Sequence, residues 1–260
     1  MPTQITTELV KELRDSTGIS VMQCKRALEE SDGDMKKALA ILKKTSADIA
    51  LKKGSREVTN GRVSIKMTGE KAALIALHCE TDFVAKNEDF IGLLETLTEK
   101  AVSAGMETMK AGSKEMIDPV IQKTGENIQL GDTYEITGDI LGSYVHNNHK
   151  IGVLVSTVGG NAELAKDIAM HIAAMKPEYI SESEITEDDR KVMTEVFQKE
   201  VAQTTAPEDI KKKMLDGKLN TYFKEKTLLD QPFIKNPKET IRQLLEKSGA
   251  SIKAVKRCSI

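Results

Sequence analysis

Twice in this chain, about eighty residues apart, the hydrophobic period switches from helical to two and back again. Val63, Ile65 and Met67 alternate with polar residues, Thr68-Gly69-Glu70 turns the chain, and Ala72 to His78 is apolar enough for a strand buried on both faces. A helix follows from about Glu88, with Phe90, Ile91, Leu94, Leu97 and Val102 on its buried side. The plan returns with Leu141 to Val145 as a strand, Asn147-Asn148-His149 as a turn and Ile151 to Val158 as a second strand. Ala162 to Met175 is then a helix carrying Leu164, Ile168, Ile172 and Ala173. Strands joined by a tight turn pair antiparallel, and each needs a layer to bury its apolar face. The pattern predicts an α+β fold with a two-part core of strand-strand-helix units and antiparallel sheets. One difference separates the units. The second joins strand to helix with Gly159-Gly160-Asn161, whereas the first inserts Thr81-Asp82-Phe83-Val84-Ala85-Lys86-Asn87, an apolar pair in a long polar connection.

Ahead of the core, three short helices are expected. Thr7 can cap a helix carrying Leu9, Val10 and Leu13, which Gly18 stops. Ser20 with Gln23 reads as a capping-box pair opening a helix with Val21, Met22, Cys24, Ala27 and Leu28. Asp34 caps a third, with Met35, Ala38, Leu39, Ile41 and Leu42 at helical spacing. The basic stretch behind it, from Lys43 and Lys44 to Lys52, Lys53 and Arg56, reads as a solvated linker with some helix. Between Ile185 and Phe223 two stripes, Val192, Met193, Val196, Phe197 and Val201, then Ile210, Met214, Leu215, Leu219 and Tyr222, flank Thr204-Thr205-Ala206-Pro207. Pro207, Glu208 and Asp209 suit a first helical turn, so this is a projecting hairpin of two antiparallel helices. The chain returns through Gln231-Pro232-Phe233, a helix near Thr240 to Ser248, and a strand Ile252 to Cys258 completing the second sheet. Four parts are expected: an N-terminal module over 1–53, core subdomains over 54–139 and over 140–181 with 227–260, and the hairpin insertion over 182–226.

Composition narrows the function. Lys plus Arg (38) nearly cancels Asp plus Glu (40), and a pI near 6.2 supplies no field for polyanions, which argues against direct nucleic-acid binding. No window approaches a membrane span, and Met1-Pro2-Thr3-Gln4 has neither the basic start nor the apolar run of a signal peptide, so a cytoplasmic protein without membrane contact is expected. Cys24, Cys79 and Cys258 are widely spaced and odd in number, the usage of a reducing compartment. Of the histidines His78, His146, His149 and His171, only two are close together, and neither CxxC nor HExxH occurs, so no metal or other cofactor is expected. There is no GxSxG and no phosphate-binding glycine loop, and His78-Cys79 point to opposite faces of a strand, which argues against an enzyme. What remains are surfaces. On physics alone Phe83 and Val84 read first as staples packing onto the following helix, and the alternative is an Asp82-Phe83 wedge that projects beside a charge. An interaction adaptor using the three-helix module is a competing reading.

Thr81-Asp82-Phe83-Val84-Ala85-Lys86-Asn87 resembles the signature loop of the bacterial elongation factor Ts family, the guanine-nucleotide exchange factors of elongation factor Tu. Leu13-Arg14, Thr17-Gly18 and Cys24-Lys25-Arg26-Ala27-Leu28 resemble the family's N-terminal module. Gly142-Ser143-Tyr144-Val145-His146, Ile151-Gly152-Val153-Leu154, Ile168-Ala169-Met170-His171, Lys176-Pro177-Glu178-Tyr179 and Gln231-Pro232-Phe233 resemble its second core unit, so matches run in order along almost the whole chain. The resemblance implies a module similar to ubiquitin-associated domains, a two-part core and a coiled-coil hairpin. It implies that elongation factor Tu is the partner, GDP-bound and nucleotide-free, and that Asp82-Phe83 enters its G domain near the magnesium site. Thr81 to Asn87, then Arg14, Val21 and Met22, then Tyr144 and His146 become the expected contact residues. Val21 stands where many relatives carry Met, and many members continue past the position of Ile260 into a further helix. A homodimer or 2:2 complex through the hairpin stays open.

Overall fold

The computed structural model describes residues 5–260. Met1 to Gln4, on which the expectation of no signal peptide rests, lie outside the described residues. The chain is α+β with antiparallel sheets, and it divides into two compact units. One comprises the residues up to Glu135, Val145–Gly152 and Cys258–Ile260, and the other Ile136–Tyr144 and Val153–Arg257.

The first unit opens with α1 (Thr7–Thr17), α2 (Val21–Glu30) and α3 (Met35–Lys53). Thr6, not Thr7, caps α1 by accepting the Leu9 amide, and the helix ends at Gly18, whose φ of 64° returns its amide to the Arg14 carbonyl. Ser20 accepts the Gln23 amide and Asp34 accepts those of Lys36 and Lys37. Val10, Leu13, Ile19, Cys24, Ala27, Leu28, Ala38 and Leu42 bury a small core of their own. The basic stretch is not a linker: α3 runs unbroken to Lys53 because Ser46 and Ala50 form a small-residue face that is buried, with the Ser46 hydroxyl donating to Gln122 of a distant helix. Lysines in its last turn face the negative end of the helix dipole.

Strands β1 (Asn60–Thr68) and β2 (Lys71–Cys79) form the expected hairpin, closing with Thr68 opposite Lys71 and Gly69 at φ 58°. A one-turn helix α4 (Asp82–Ala85) precedes α5 (Glu88–Ala104). Two larger elements go beyond the sequence pattern of this region: α6 (Met106–Thr124) and β3 (Ile128–Thr137), which pairs with β2 and makes it the central strand of the sheet β1-β2-β3. That central place explains why Ala72 to Leu77 are all buried.

The second unit holds most of β4 (Ile140–Val145), β5 (Ile151–Val158) and a terminal strand β8 (Ser251–Ser259), which order as β4-β5-β8; α7 (Ala162–Met175) follows β5, and Gly142 lets the strand meet the helix: a Cβ there would lie 2.2 Å from the backbone carbon of Ala165. The helices α8 (Glu187–Ala202) and α9 (Glu208–Lys226) lie side by side, α8 opened by a Thr186–Asp189 capping box. Pro207 sits at the cap of α9, one residue before its first turn. Their seam is thinner than the stripes predict. Val201 and Phe223 are buried and Phe197 stacks edge-on to Tyr222 at 5.8 Å, whereas Val192, Val196 and Ile210 face solvent. A short hairpin of β6 (Pro232–Phe233) and β7 (Asn236–Thr240), the helix α10 (Ile241–Lys247) and β8 (Ser251–Ser259) finish the unit, β8 completing its sheet as expected. Among the described residues no helix is long and apolar enough to cross a membrane.

Candidate functional site

The insertion between β2 and α5 is a built turn. Thr81 caps it, its hydroxyl accepting the Val84 amide at 3.4 Å and its carbonyl the Ala85 amide at 3.2 Å. The amides of Lys86 and Asn87 return to the carbonyls of Phe83 and Val84, and Asn87 caps α5 through the Asp89 amide at 2.9 Å. Successive residues of a helical turn stand about 100° apart, so a turn that faces Val84 and Ala85 inward leaves Phe83 facing out. Val84 and Ala85 go into the core, and Phe83 is left 81% exposed. Of the expected staple pair only Val84 is buried, and Phe83 projects from the turn. Beside it Asp82 pairs with Lys86 at 2.7 Å, and the Lys86 ammonium holds the Asp82 carboxyl below its ordinary range, so the ring projects next to a fixed anion. Behind the turn the Cys79 thiol donates to the Thr81 carbonyl at 3.1 Å, and burial pushes it up to about 12, which leaves it a protonated structural thiol.

The turn rests on residues that the sequence did not point to. Glu126 accepts the Thr81 amide at 3.0 Å and the Thr81 hydroxyl at 2.6 Å. Next to it the buried Asn127 donates its amide to Glu80 at 2.6 Å and its side chain to the Arg56 carbonyl at 2.7 Å. Gly125, with φ 77°, ends α6 and offers its carbonyl to Lys53. A glycine after a helical run would have marked this corner, but no local signal says which carboxylate meets Thr81.

The β4–β5 turn joins the same unit. His149 adopts φ 55°, its amide closing on the His146 carbonyl at 2.7 Å, and its own carbonyl accepts the Val63 amide of β1 at 2.8 Å. Burial, with the Arg62 charge adding, lowers the His149 pKa, favouring a neutral ring. Lys150 reaches Asn60 at 3.1 Å, and Asn60 donates to the Glu80 carbonyl at 3.2 Å, one residue before the exposed turn. His146 is exposed on this turn, and Tyr144, in the second unit, is half-buried.

On the N-terminal helices Arg14, Val21 and Met22 are exposed around the corner made by Gly18, Val21 at 51% and Met22 at 62%. A Cβ on Gly18 would fall 2.4 Å from Lys123 Nζ, and Lys123 pairs with Asp89 in the first turn of α5 at 2.9 Å. That side chain brings the corner to within two residues of the end of the Thr81–Asn87 segment.

In the second unit two further sequence motifs meet. His171 of α7 is buried, its Nε2 lies 2.9 Å from Gln231 Oε1, and its ring is 6.1 Å from Phe233.

Three matches to known proteins bear on this geometry. A family model described as Elongation factor TS matches residues 80–260, beginning one residue before the Thr81 turn. Elongation factor Ts of Hahella chejuensis is 37% identical over 262 residues, covering 98% of this chain and 92% of the relative. Elongation factor Ts of Nitrosomonas eutropha is 40% identical over 267 residues, covering 96% of this chain and 89% of the relative.

Proposed function

The chain belongs to the elongation factor Ts family, and on that premise we propose that it is a translation elongation factor that speeds GDP release from elongation factor Tu without any covalent step. The observation that carries the reading is Phe83, an apolar ring 81% exposed on a turn whose neighbours Val84 and Ala85 are buried. An aromatic side chain held in water on a fixed turn is set to bury area elsewhere, worth roughly 1.5–3 kcal/mol on full burial. Asp82 beside it carries the charge for a magnesium and phosphate site. GDP is retained by backbone amides around its phosphates and by Mg²⁺, whose octahedral shell tolerates little displacement. A wedge that shifts the adjoining elements empties that shell, since packed elements switch between discrete arrangements. Exchange factor and nucleotide then weaken each other reciprocally, about 1.4 kcal/mol for each tenfold in affinity, and GTP displaces the factor.

Arg14, Val21 and Met22 anchor the partner, and Tyr144 and His146 supply a further contact. Residues 1–53 serve as a module similar to ubiquitin-associated domains, 54–139 and 140–181 with 227–260 as the two core subdomains, and 182–226 as a coiled-coil hairpin. The work is done in the cytoplasm on a protein partner, GDP-bound and nucleotide-free, with no direct contact to nucleic acid or membrane. Release of labelled GDP from purified elongation factor Tu tests the reading. Acceleration by the intact chain that Phe83→Ala removes supports it, and release unchanged by the intact chain refutes it.

A further inference from the structure

Glu126 spends both oxygens of its carboxylate on one residue, accepting the amide of Thr81 on Oε2 and its hydroxyl on Oε1. Bonds to an ionised acceptor are about twice as strong as neutral ones. Glu126 is itself held in place, since Gly125 before it is tied to Lys53 and Asn127 after it to Glu80 and Arg56. Thr81 in turn caps the one-turn helix α4, and a helix this short has too few internal bonds to fix its own direction. The orientation of Phe83 therefore depends on what holds Thr81.

Building on the exchange reading above, we propose that Glu126 is a positioning residue for nucleotide release, acting through Thr81 to hold the Asp82-Phe83 turn in its projecting arrangement before the partner is met. The carboxylate of Glu126 accepts from Thr81, the residue before the Asp82-Phe83 pair. Its contribution is pre-organisation: docking rests on the other contact surfaces, so a turn that must order itself only when Phe83 engages in the bound complex slows the release step about tenfold for each backbone unit that has to be fixed.

Four variants test this in GDP release from elongation factor Tu, run as a function of factor concentration: Glu126→Ala, Glu126→Gln, Thr81→Val and the double variant Glu126→Ala with Thr81→Val. Glu126→Ala is expected to slow saturated release about tenfold while the half-saturating concentration moves less than about threefold. Glutamine can accept the Thr81 amide and donate to its hydroxyl, so Glu126→Gln should recover most of the rate. The double variant should lose less than the product of the two single losses, because either change cuts the bond between the Thr81 hydroxyl and Glu126, although Thr81→Val also removes the cap on Val84. In the free protein, amide hydrogen exchange over Val84 to Asn87 should quicken in Glu126→Ala with the β2 amides unchanged. A full saturated rate in folded Glu126→Ala, a glutamine variant as slow as the alanine one, or losses that multiply in the double variant would each overturn the proposal. Should Glu126→Ala melt early, Thr81→Val carries the test: slower release with faster exchange of the turn sustains the proposal, and unchanged values of both overturn it. Phe83→Ala, run alongside, separates the two levels. If it slows release and Glu126→Ala does not, only the role of Glu126 falls, and if it too has no effect the exchange reading falls with it.

Discussion

His171 is locked into one tautomer by Gln231: its Nδ1 accepts the Ile234 amide at 3.2 Å, so the proton sits on Nε2 and is donated to Gln231 Oε1 at 2.9 Å. The Gln231 amide group is fixed in turn by donating to the Glu225 carbonyl at 2.7 Å. A second proton on the ring would face an N–H with an N–H. Burial lowers the His171 pKa, only partly opposed by the bond to Gln231.

This arrangement makes folding sensitive to acid. The folded pKa lies below the ordinary 6.5, so the unfolded chain binds the extra proton first. Stability from this site is complete above about pH 6.5 and is lost as pH falls through the interval down to the folded pKa, with a slope of at most about 1.4 kcal/mol per pH unit. Denaturant midpoints of wild type and His171→Gln between pH 7.5 and 5 measure it. The variant should be less stable at pH 7.5 and should lose less on acidification, and parallel curves would assign the acid sensitivity to other groups.

Phe83 and Phe90 lie seven residues apart and should respond oppositely to truncation. Phe90 is fully buried in the core around β2, so Phe90→Ala should cost about 3–5 kcal/mol. Phe83→Ala, alone or with Asp82→Ala, should cost well under 1 kcal/mol in stability, as surface changes do, while GDP release from elongation factor Tu falls steeply. Chemical denaturation beside the release assay checks both. An early-melting Phe83→Ala whose folded fraction exchanges normally would return Phe83 to the core.

Two glycines should likewise part company. Gly92 is exposed in the middle of α5 with nothing within 4 Å of an added Cβ, so Gly92→Ala should stabilise by about 0.5–1 kcal/mol. At Gly142 the added carbon would strike the Ala165 and Lys166 backbone at 2.2–2.5 Å, so Gly142→Ala should destabilise by about 1–3 kcal/mol or more as α7 is pushed from the sheet. Melting temperatures moving in opposite directions would bear this out, and a neutral Gly142→Ala would mean that α7 is free to shift.

What the sequence disclosed was local. The strand through Val63 and Ile65 and the caps at Gly18 and Asp34 are set by neighbours a few residues away, and the structure has them where the pattern predicts, whereas Met67, beside the hairpin turn, is exposed. The misses are relations at a distance. Ser46 is polar and Ala50 small, yet both are buried and Ser46 reaches Gln122, so a basic run is helix. Gly112 and Pro119 interrupt α6, which weakens the very periodicity that would have announced it. Whether Phe83 staples or projects depends on the phase of one turn, and the contacts at that turn are distant too: the carboxylate that accepts from Thr81 lies 45 residues further on.

The N-terminal corner should anchor the partner and leave the rate of the bound complex alone. A deletion of residues 1–53 would not isolate that role, because α3 packs on α6 and supplies Ala50 to the core around β2. Point changes do isolate it: Val21 and Met22 are exposed, so Val21→Ala with Met22→Ala should alter stability by less than about 0.5 kcal/mol. Each apolar group buried in a complex contributes on the order of 1 kcal/mol, so the pair should weaken association with elongation factor Tu by about tenfold or more. The rate at saturating factor should stay within about twofold, since only interactions that differ between bound states change it. Lys123→Met adds a control, because it keeps both surfaces and removes the ion pair to Asp89 beside Gly18. If the corner and the Thr81 turn must hold a fixed spacing, Lys123→Met will also weaken association with the folded state intact. Calorimetric titration against nucleotide-free elongation factor Tu, together with concentration-dependent GDP release, reads both quantities. A Val21 and Met22 double variant that binds normally but releases GDP slowly would make this corner part of the exchange machinery and not its anchor.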